Sequence, residues 1–318
     1  MLTPYTTGHA GNWKKIGLVG VPKTGFPWMH SHCQVPTAMP MMNGRRVRVF
    51  FATRTEQNRS YIGYVDLELH EGSDTFSVEA VSQKPVLEPG PIGFFDEHGV
   101  YPSSVVRSED KWYMYYIGWN QGVEAPLFYA SIGLAVSEDG VNFERTSPAP
   151  LMSRSDFDPC LVTAPHVYKD NEVWRMTYVS GVAWSRDETG RLKSHYHIKH
   201  AESSDLLNWQ RRGKVAIDFN PGETNIARSS VVKMSDYDYR MWYSYVHPRF
   251  GKYRIGYADS KNGITWHRKD YLAGIDVGDE FAREMIGYPS VFRLGCQLYM
   301  LYNGDRFGEA GFGLAVLS

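Results

Sequence analysis

Residues 223–269, ETNIARSSVVKMSDYDYRMWYSYVHPRFGKYRIGYADSKNGITWHRK, decide the fold. They contain four short runs, 229–233, 239–246, 253–260 and 265–269, each alternating or rich in β-branched and aromatic residues. Asp, Asn, Gly and Pro fill the gaps, so the stretch predicts a four-stranded antiparallel meander.

The meander repeats along the chain. Its third strand returns as YIGYVD at Tyr61, SIGLAVS at Ser131, HIKHAES at His197, RIGYADS at Arg254 and GFGLAVL at Gly311. The second residues of these copies, Ile62, Ile132, Ile198, Ile255 and Phe312, lie 70, 66, 57 and 57 residues apart. The second strand returns from Val47, Trp112, Trp174, Arg240 and Leu298. Three copies then share a turn and an aromatic, SEDGVNF from Ser137, SSDLLNW from Ser203 and SKNGITW from Ser260, and two of them supply the glycine that a tight hairpin asks for.

Four strands per repeat at this period predict the blades of a β-propeller, here an all-β, five-bladed propeller filling 1–318 as one domain. The last copy ends after its third strand, while Trp13-Lys14-Lys15-Ile16-Gly17 matches Trp209-Gln210-Arg211-Arg212-Gly213. An N-terminal strand pairing with the last blade would close the ring and remove an open edge.

Composition narrows the function. Hydrophobic residues at 42% and aromatics at 14% suffice for a large core, and a net charge of -1 gives no electrostatic case for nucleic acid or an anionic membrane as partner. No apolar run approaches the roughly 20 residues of a membrane helix, and MLTPYTTGHAGNWKK lacks a hydrophobic signal region. Cys33, Cys160 and Cys296 are odd in number and lack metal-ligand spacing, which points to a reducing cytoplasm and to no metal or cofactor. No phosphate-binding glycine loop or nucleophile elbow is present.

A column of X-Pro pairs aligns the innermost strands: Val35-Pro36, Tyr101-Pro102, Ala164-Pro165, Ala227-Arg228 and Tyr288-Pro289. Five positions upstream stand Ser31, Glu97, Cys160, Glu223 and Glu284, with Asp96 beside Glu97 and Asp158 two residues before Cys160. Carboxylates gathered at one mouth would repel one another and split their pKa values, making a proton donor and an ionised partner. The expected catalytic groups are therefore Glu223 as acid, Asp96 or Glu97 as its partner, and Glu284 and Asp158 in support. Arg54, Arg228, Arg283 and Arg306 would bind an anionic sugar or phosphate. His98, Tyr101, Trp119, His166, Asn303 and Asp305 complete the expected binding set, and Trp184 offers a second aromatic face. The competing reading makes the acids turn groups or structural ion pairs.

The blade pattern together with FFATRTEQNRSYIGYVDL, FDEHGVYPSSVV, YHIKHAES and EMIGYPSVF resembles the five-bladed glycosidase superfamily, which includes the arabinanase and xylosidase, invertase and mannoside phosphorylase families. It is most similar to uncharacterised glycosidase-like proteins found with bacterial surface-polysaccharide genes. The resemblance implies a glycosidase or phosphorylase acting on a saccharide, with an Asp opening the first blade, an Asp in the second and a Glu in the third. Here the first blade opens on His30-Ser31-His32-Cys33-Gln34 and the third offers Asp158, so a silent carbohydrate-binding propeller is the alternative.

Overall fold

In a computed structural model, which describes residues 11–22, 24–41, 44–70 and 74–318, the stretch 223–269 folds as a meander. Its strands are β14 (Ile226–Ser235), β15 (Asp238–His247), β16 (Lys252–Ser260) and β17 (His267–Arg268), each overlapping a predicted run. The same pattern precedes it. One run comprises β2 (Ser31–Pro40), β3 (Arg46–Arg54), β4 (Ser60–His70) and β5 (Thr75–Val81), and the next β6 (Gly99–Ser108), β7 (Lys111–Gln121), β8 (Phe128–Ser137) and β9 (Glu144–Arg145). A single parallel bridge, Ser60 to Gly99, joins these two into one eight-stranded sheet. The third run comprises β10 (Leu161–Asp170), β11 (Val173–Arg186), β12 (Leu192–Ser203) and β13 (Gln210–Ile217).

The last sheet has the order β1 (Trp13–Gly20), β20 (Gly311–Leu317), β19 (Gln297–Asn303) and β18 (Gly287–Leu294). Its fourth strand is thus the chain's N-terminal one, antiparallel with Trp13 opposite Leu317. Among the described residues, nearly all in strands and loops, only short helical turns interrupt the sheets, one of them Asp305–Gly308. No helix among the described residues is long and apolar enough to cross a membrane.

The innermost strands pack against one another in cyclic order, β2 on β6, β6 on β10, β10 on β14, β14 on β18 and β18 on β2. One register position laces them together. Ser104 Oγ accepts from the Val167 amide at 3.0 Å, His166 Nε2 meets the Val231 carbonyl at 3.1 Å, Ser230 Oγ accepts from Val291 at 2.8 Å and Ser290 Oγ from Ala38 at 3.3 Å. Between sheets lie apolar clusters built on fully buried side chains such as Tyr115, Tyr178, Trp242 and Met300.

The turns after the third strands share one geometry. Ser137 Oγ, Ser203 Oγ and Ser260 Oγ each accept from the amide three residues on, while the side chains of Asp139, Asp205 and Asn262 accept the next two amides. The left-handed position is Gly140 or Gly263 in two copies and Leu206 in the third.

Candidate functional site

Strand pairing explains the fate of the register of acids. On three of the second strands a tyrosine faces a glycine of the third: Tyr116 opposite Gly133, Tyr243 opposite Gly256, Tyr302 opposite Gly313. A Cβ at any of these glycines would overlap the tyrosine ring. The ring lies flat over the glycine, and its hydroxyl reaches a carboxylate: Asp96 Oδ2 for Tyr116 at 3.4 Å, Asp158 for Tyr178 at 3.2 Å, Asp270 for Tyr243 and Asp279 for Tyr302 at 3.0 Å.

A cation two residues beyond an aromatic on the fourth strand completes each group. Arg145 lies 2.8 Å from Asp96, Arg211 3.1 Å from Asp158, and Lys15 3.0 Å from Asp279. Arg268 grips Glu223 through both terminal nitrogens, at 2.7 and 2.9 Å, and Asp270 at 2.6 Å. In the third sheet, Lys199 replaces the glycine and puts Nζ 3.5 Å from Asp158. The carboxylates of Asp96 and Asp158 are fully buried and that of Glu223 is 3% exposed, so pairing rather than solvent offsets their charge. Burial beside a carboxylate drives the Tyr116, Tyr178 and Tyr243 hydroxyls up.

A different set of residues meets at the centre. Each innermost strand carries a β-bulge near its start, between Gln34 and Thr37, Pro102 and Ser104, Thr163 and His166, Ala227 and Ser230, and Gly287 and Ser290. In four of them the backbone turns left-handed, at Val35 (φ 53°), Ala164 (45°), Arg228 (37°) and Tyr288 (56°), a conformation that costs a non-glycine residue about 1–3 kcal/mol. The pairing puts Arg228 level with Ala164 and Tyr288, and Ser229 in the proline's place, one position from the alignment of X-Pro pairs.

The bulges form the floor of a funnel of about 690 Å³. Its wall holds Gln34, Arg54, Tyr101, Trp119, Tyr196, Tyr253 and Tyr288, and no carboxylate is among its lining residues. Arg228, 4% exposed, donates to the Pro36 carbonyl at 2.8 Å and Thr37 Oγ1 at 3.0 Å. Burial pulls its guanidinium down to about 9, with only the Tyr288 hydroxyl acting against that. Arg54 Nε donates to Gln34 Oε1 at 2.9 Å. Among the described residues neither arginine has a carboxylate within 4.0 Å. Tyr196 and Tyr253 share a hydroxyl–hydroxyl bond, and burial raises the Tyr253 and Tyr288 hydroxyls.

Of the expected binding residues, Arg54, Tyr101, Trp119 and Arg228 therefore meet at the funnel. His98 packs its ring 5.7 Å from Trp119, just outside. The others do not join them. His166 is one of the side chains lacing inner strands, and burial lowers it to about 4. Asn303 is buried and ties Val35, Cys33 and Gly311 together. Asp305 accepts the amides of Arg283, Glu284 and Met285, and Arg306 pairs with Glu309 on the surface.

Of the expected catalytic groups, Asp96, Asp158 and Glu223 are not gathered at one mouth: each is held in a different sheet by its own arginine. Glu284 is exposed, 3.6 Å from Lys252. Glu97 carries no arginine pair; Oε2 accepts the Gly93 amide at 2.5 Å and Oε1 lies 3.3 Å from His98. Sequence reasoning missed Gln34, Tyr196, Tyr253, Tyr288 and Phe307. The dipeptide Arg306-Phe307, in left-handed backbone on both residues, puts Phe307 against Tyr288 at 6.3 Å, and no pattern in the sequence announces it.

Comparison with known proteins adds an independent line. No family model matches the chain. The uncharacterised protein Rv1502 of Mycobacterium tuberculosis is 37% identical over 306 residues, 96% of this chain and 99% of that protein. A β-1,2-mannobiose phosphorylase of a Thermoanaerobacter species is 29% identical over 143 residues, 42% of this chain and 45% of that protein. Among solved structures, a glycoside hydrolase superposes with a TM-score of 0.68 over 95% of this chain and 90% of its own at 16% identity. A thermostable family-43 glycoside hydrolase gives 0.62 over 93% and 90% at 18% identity. At such identities these superpositions speak to the fold, that of the propeller glycosidases.

Proposed function

The chain belongs to the family of the mycobacterial protein Rv1502, and on that premise we propose that it cleaves a glycosidic bond of an anionic saccharide by phosphorolysis. The observation that carries the reading is the funnel's lining: two arginines with no carboxylate within 4.0 Å among the described residues, four tyrosines and a tryptophan, with no acid in the lining itself. Hydrolysis by a pair of carboxylates needs them about 5–5.5 or 6.5–9.5 Å apart across the sugar. The three buried acids are each committed to an arginine, in three different sheets. Phosphate brings its own negative charge to the anomeric carbon, so it needs a cationic hold rather than a base.

In this reading Arg54 and Arg228 set the field that holds the anion, and Trp119 and Tyr101 offer flat faces to the sugar. Glu97, outside the lining but 3.3 Å from the His98 ring that packs on Trp119, is the proton donor in this reading. The anomeric C–O bond breaks, a C–O bond to phosphate forms, and the carboxyl proton of Glu97 goes to the leaving oxygen. The phosphorylase relatives support this choice over hydrolysis.

The cyclic packing of the inner strands and the pairing of β1 with β20 support a single five-bladed propeller, closed by the N-terminal strand. Three unpaired thiols support a cytoplasmic home.

Incubating the protein with anionic glycans, with and without phosphate, tests the chemistry. A sugar phosphate that forms only with phosphate, and vanishes in Glu97→Gln, is the expected outcome. Equal cleavage without phosphate would mean hydrolysis, and binding without any product a silent lectin-like propeller.

A further inference from the structure

A second cavity of about 520 Å³ adjoins the funnel and shares Pro126, Phe128, Tyr196, Tyr253 and Phe307 with it. The two spaces therefore meet along one wall, with the half-exposed Phe307 ring at the partition, packed on Tyr288 and Tyr253.

The chain builds this cavity deliberately. Strands β11 and β12, with 14 and 12 residues, are the longest of the described strands and pair as far as Arg186 opposite Leu192, which projects a hairpin past the sheet. Arg186 fastens the hairpin to Glu124 by two bonds, at 3.0 and 2.8 Å, clasping the loop that carries Pro126. Inside, Trp184 and Phe128 hold each other edge to face at 5.9 Å, an apolar platform of the kind sugar C–H faces stack on. Asn225, Ser194 and Thr224 form a hydrogen-bonded polar patch on the same lining.

The charge of the lining is one-sided. Arg191, Lys193, Lys252 and His247 share the lining with a single acid, Asp187, whose Oδ1 is spent on Thr189 and the Arg191 amide, while Glu284, outside the lining, lies 3.6 Å from Lys252. We propose that this cavity is a second saccharide subsite that takes an acidic sugar unit joined to the unit in the funnel. The substrate is then an acidic oligosaccharide rather than a monosaccharide derivative. The inference rests on the saccharide reading of the funnel, and the test separates the two.

Titration calorimetry with tetragalacturonate, mannotetraose and monomeric galacturonate reads the subsite. The acidic tetramer should bind at least about tenfold more tightly than either of the others, because the second unit binds as a tethered ligand. That gain should disappear in Trp184→Ala and in the Lys193→Glu/Lys252→Glu double variant, whereas Arg54→Met should weaken monomer and tetramer alike. A length gain that survives both cavity variants, or monomer binding with no length gain, would overturn the subsite alone. Failure of every acidic sugar to bind would overturn it together with the funnel reading.

Discussion

The clamps between the strands and the funnel at the centre use charge in opposite ways. In the clamps, Asp96, Asp158, Glu223, Asp270 and Asp279 each meet a cation and a tyrosine hydroxyl or a second acid, in groups that range from fully to partly buried. In the funnel, the hydrogen bonds of Arg54 and Arg228 go to neutral oxygens. A satisfied charge holds structure, and an unsatisfied one waits for a ligand. Asp96, Asp158 and Glu223 are thus tied into ion pairs, while Arg54 and Arg228, far apart in sequence, meet at the funnel.

The largest effect should come from breaking a clamp. Arg145→Met leaves Asp96 buried without its cation, which should cost about 3–5 kcal/mol in denaturant unfolding. A loss under 1 kcal/mol would mean that the pair does not hold the sheet. Next comes the funnel: Arg54→Met should cost about 1.5–3 kcal/mol of anion affinity, more than tenfold, with the unfolding midpoint almost unmoved. A variant that unfolds easily but binds normally would reverse the contrast between the two regions.

Gly133→Ala should destabilise by about 1–3 kcal/mol, because its Cβ must displace the Tyr116 ring that reaches Asp96. Acid sharpens the comparison further. Burial lowers His166 and His200 to about 4, and burial with the Arg54 charge does the same for His32, from an ordinary 6.5. The unfolded chain binds these protons first, so stability should be whole above pH 6.5 and fall as the pH drops from 6.5 toward 4. A thermal midpoint flat across that window would contradict three neutral, buried or half-buried imidazoles. The smallest effect belongs to Glu284→Gln, an exposed position, which should stay within about 0.5 kcal/mol in stability and leave turnover unchanged.

The glycines opposite Tyr116, Tyr243 and Tyr302 show how much of this lay open in the primary structure. Their recurrence inside IGLAV, IGYAD and FGLAV helped to find the repeat, and the Trp-led match of Trp13–Gly17 to Trp209–Gly213 located the last sheet's missing partner. Which acid each cation would take was not legible, because Asp96 and Arg145 are 49 residues apart and meet only once their sheet is formed.

The meander, its recurrence and the pairing of Trp13 with the chain's tail were determined by sequence alone, since alternation, turn residues and period are local properties of the polypeptide. Tertiary structure decided which charges would be quenched and which left open. The left-handed bulges at Val35, Ala164, Arg228 and Tyr288 turn the chain into the funnel at residues that no local preference would put there, three of them just before a proline that favours extended backbone. Such strain is sustained only by the packing of neighbouring inner strands, so the cationic funnel exists only when those strands have come together.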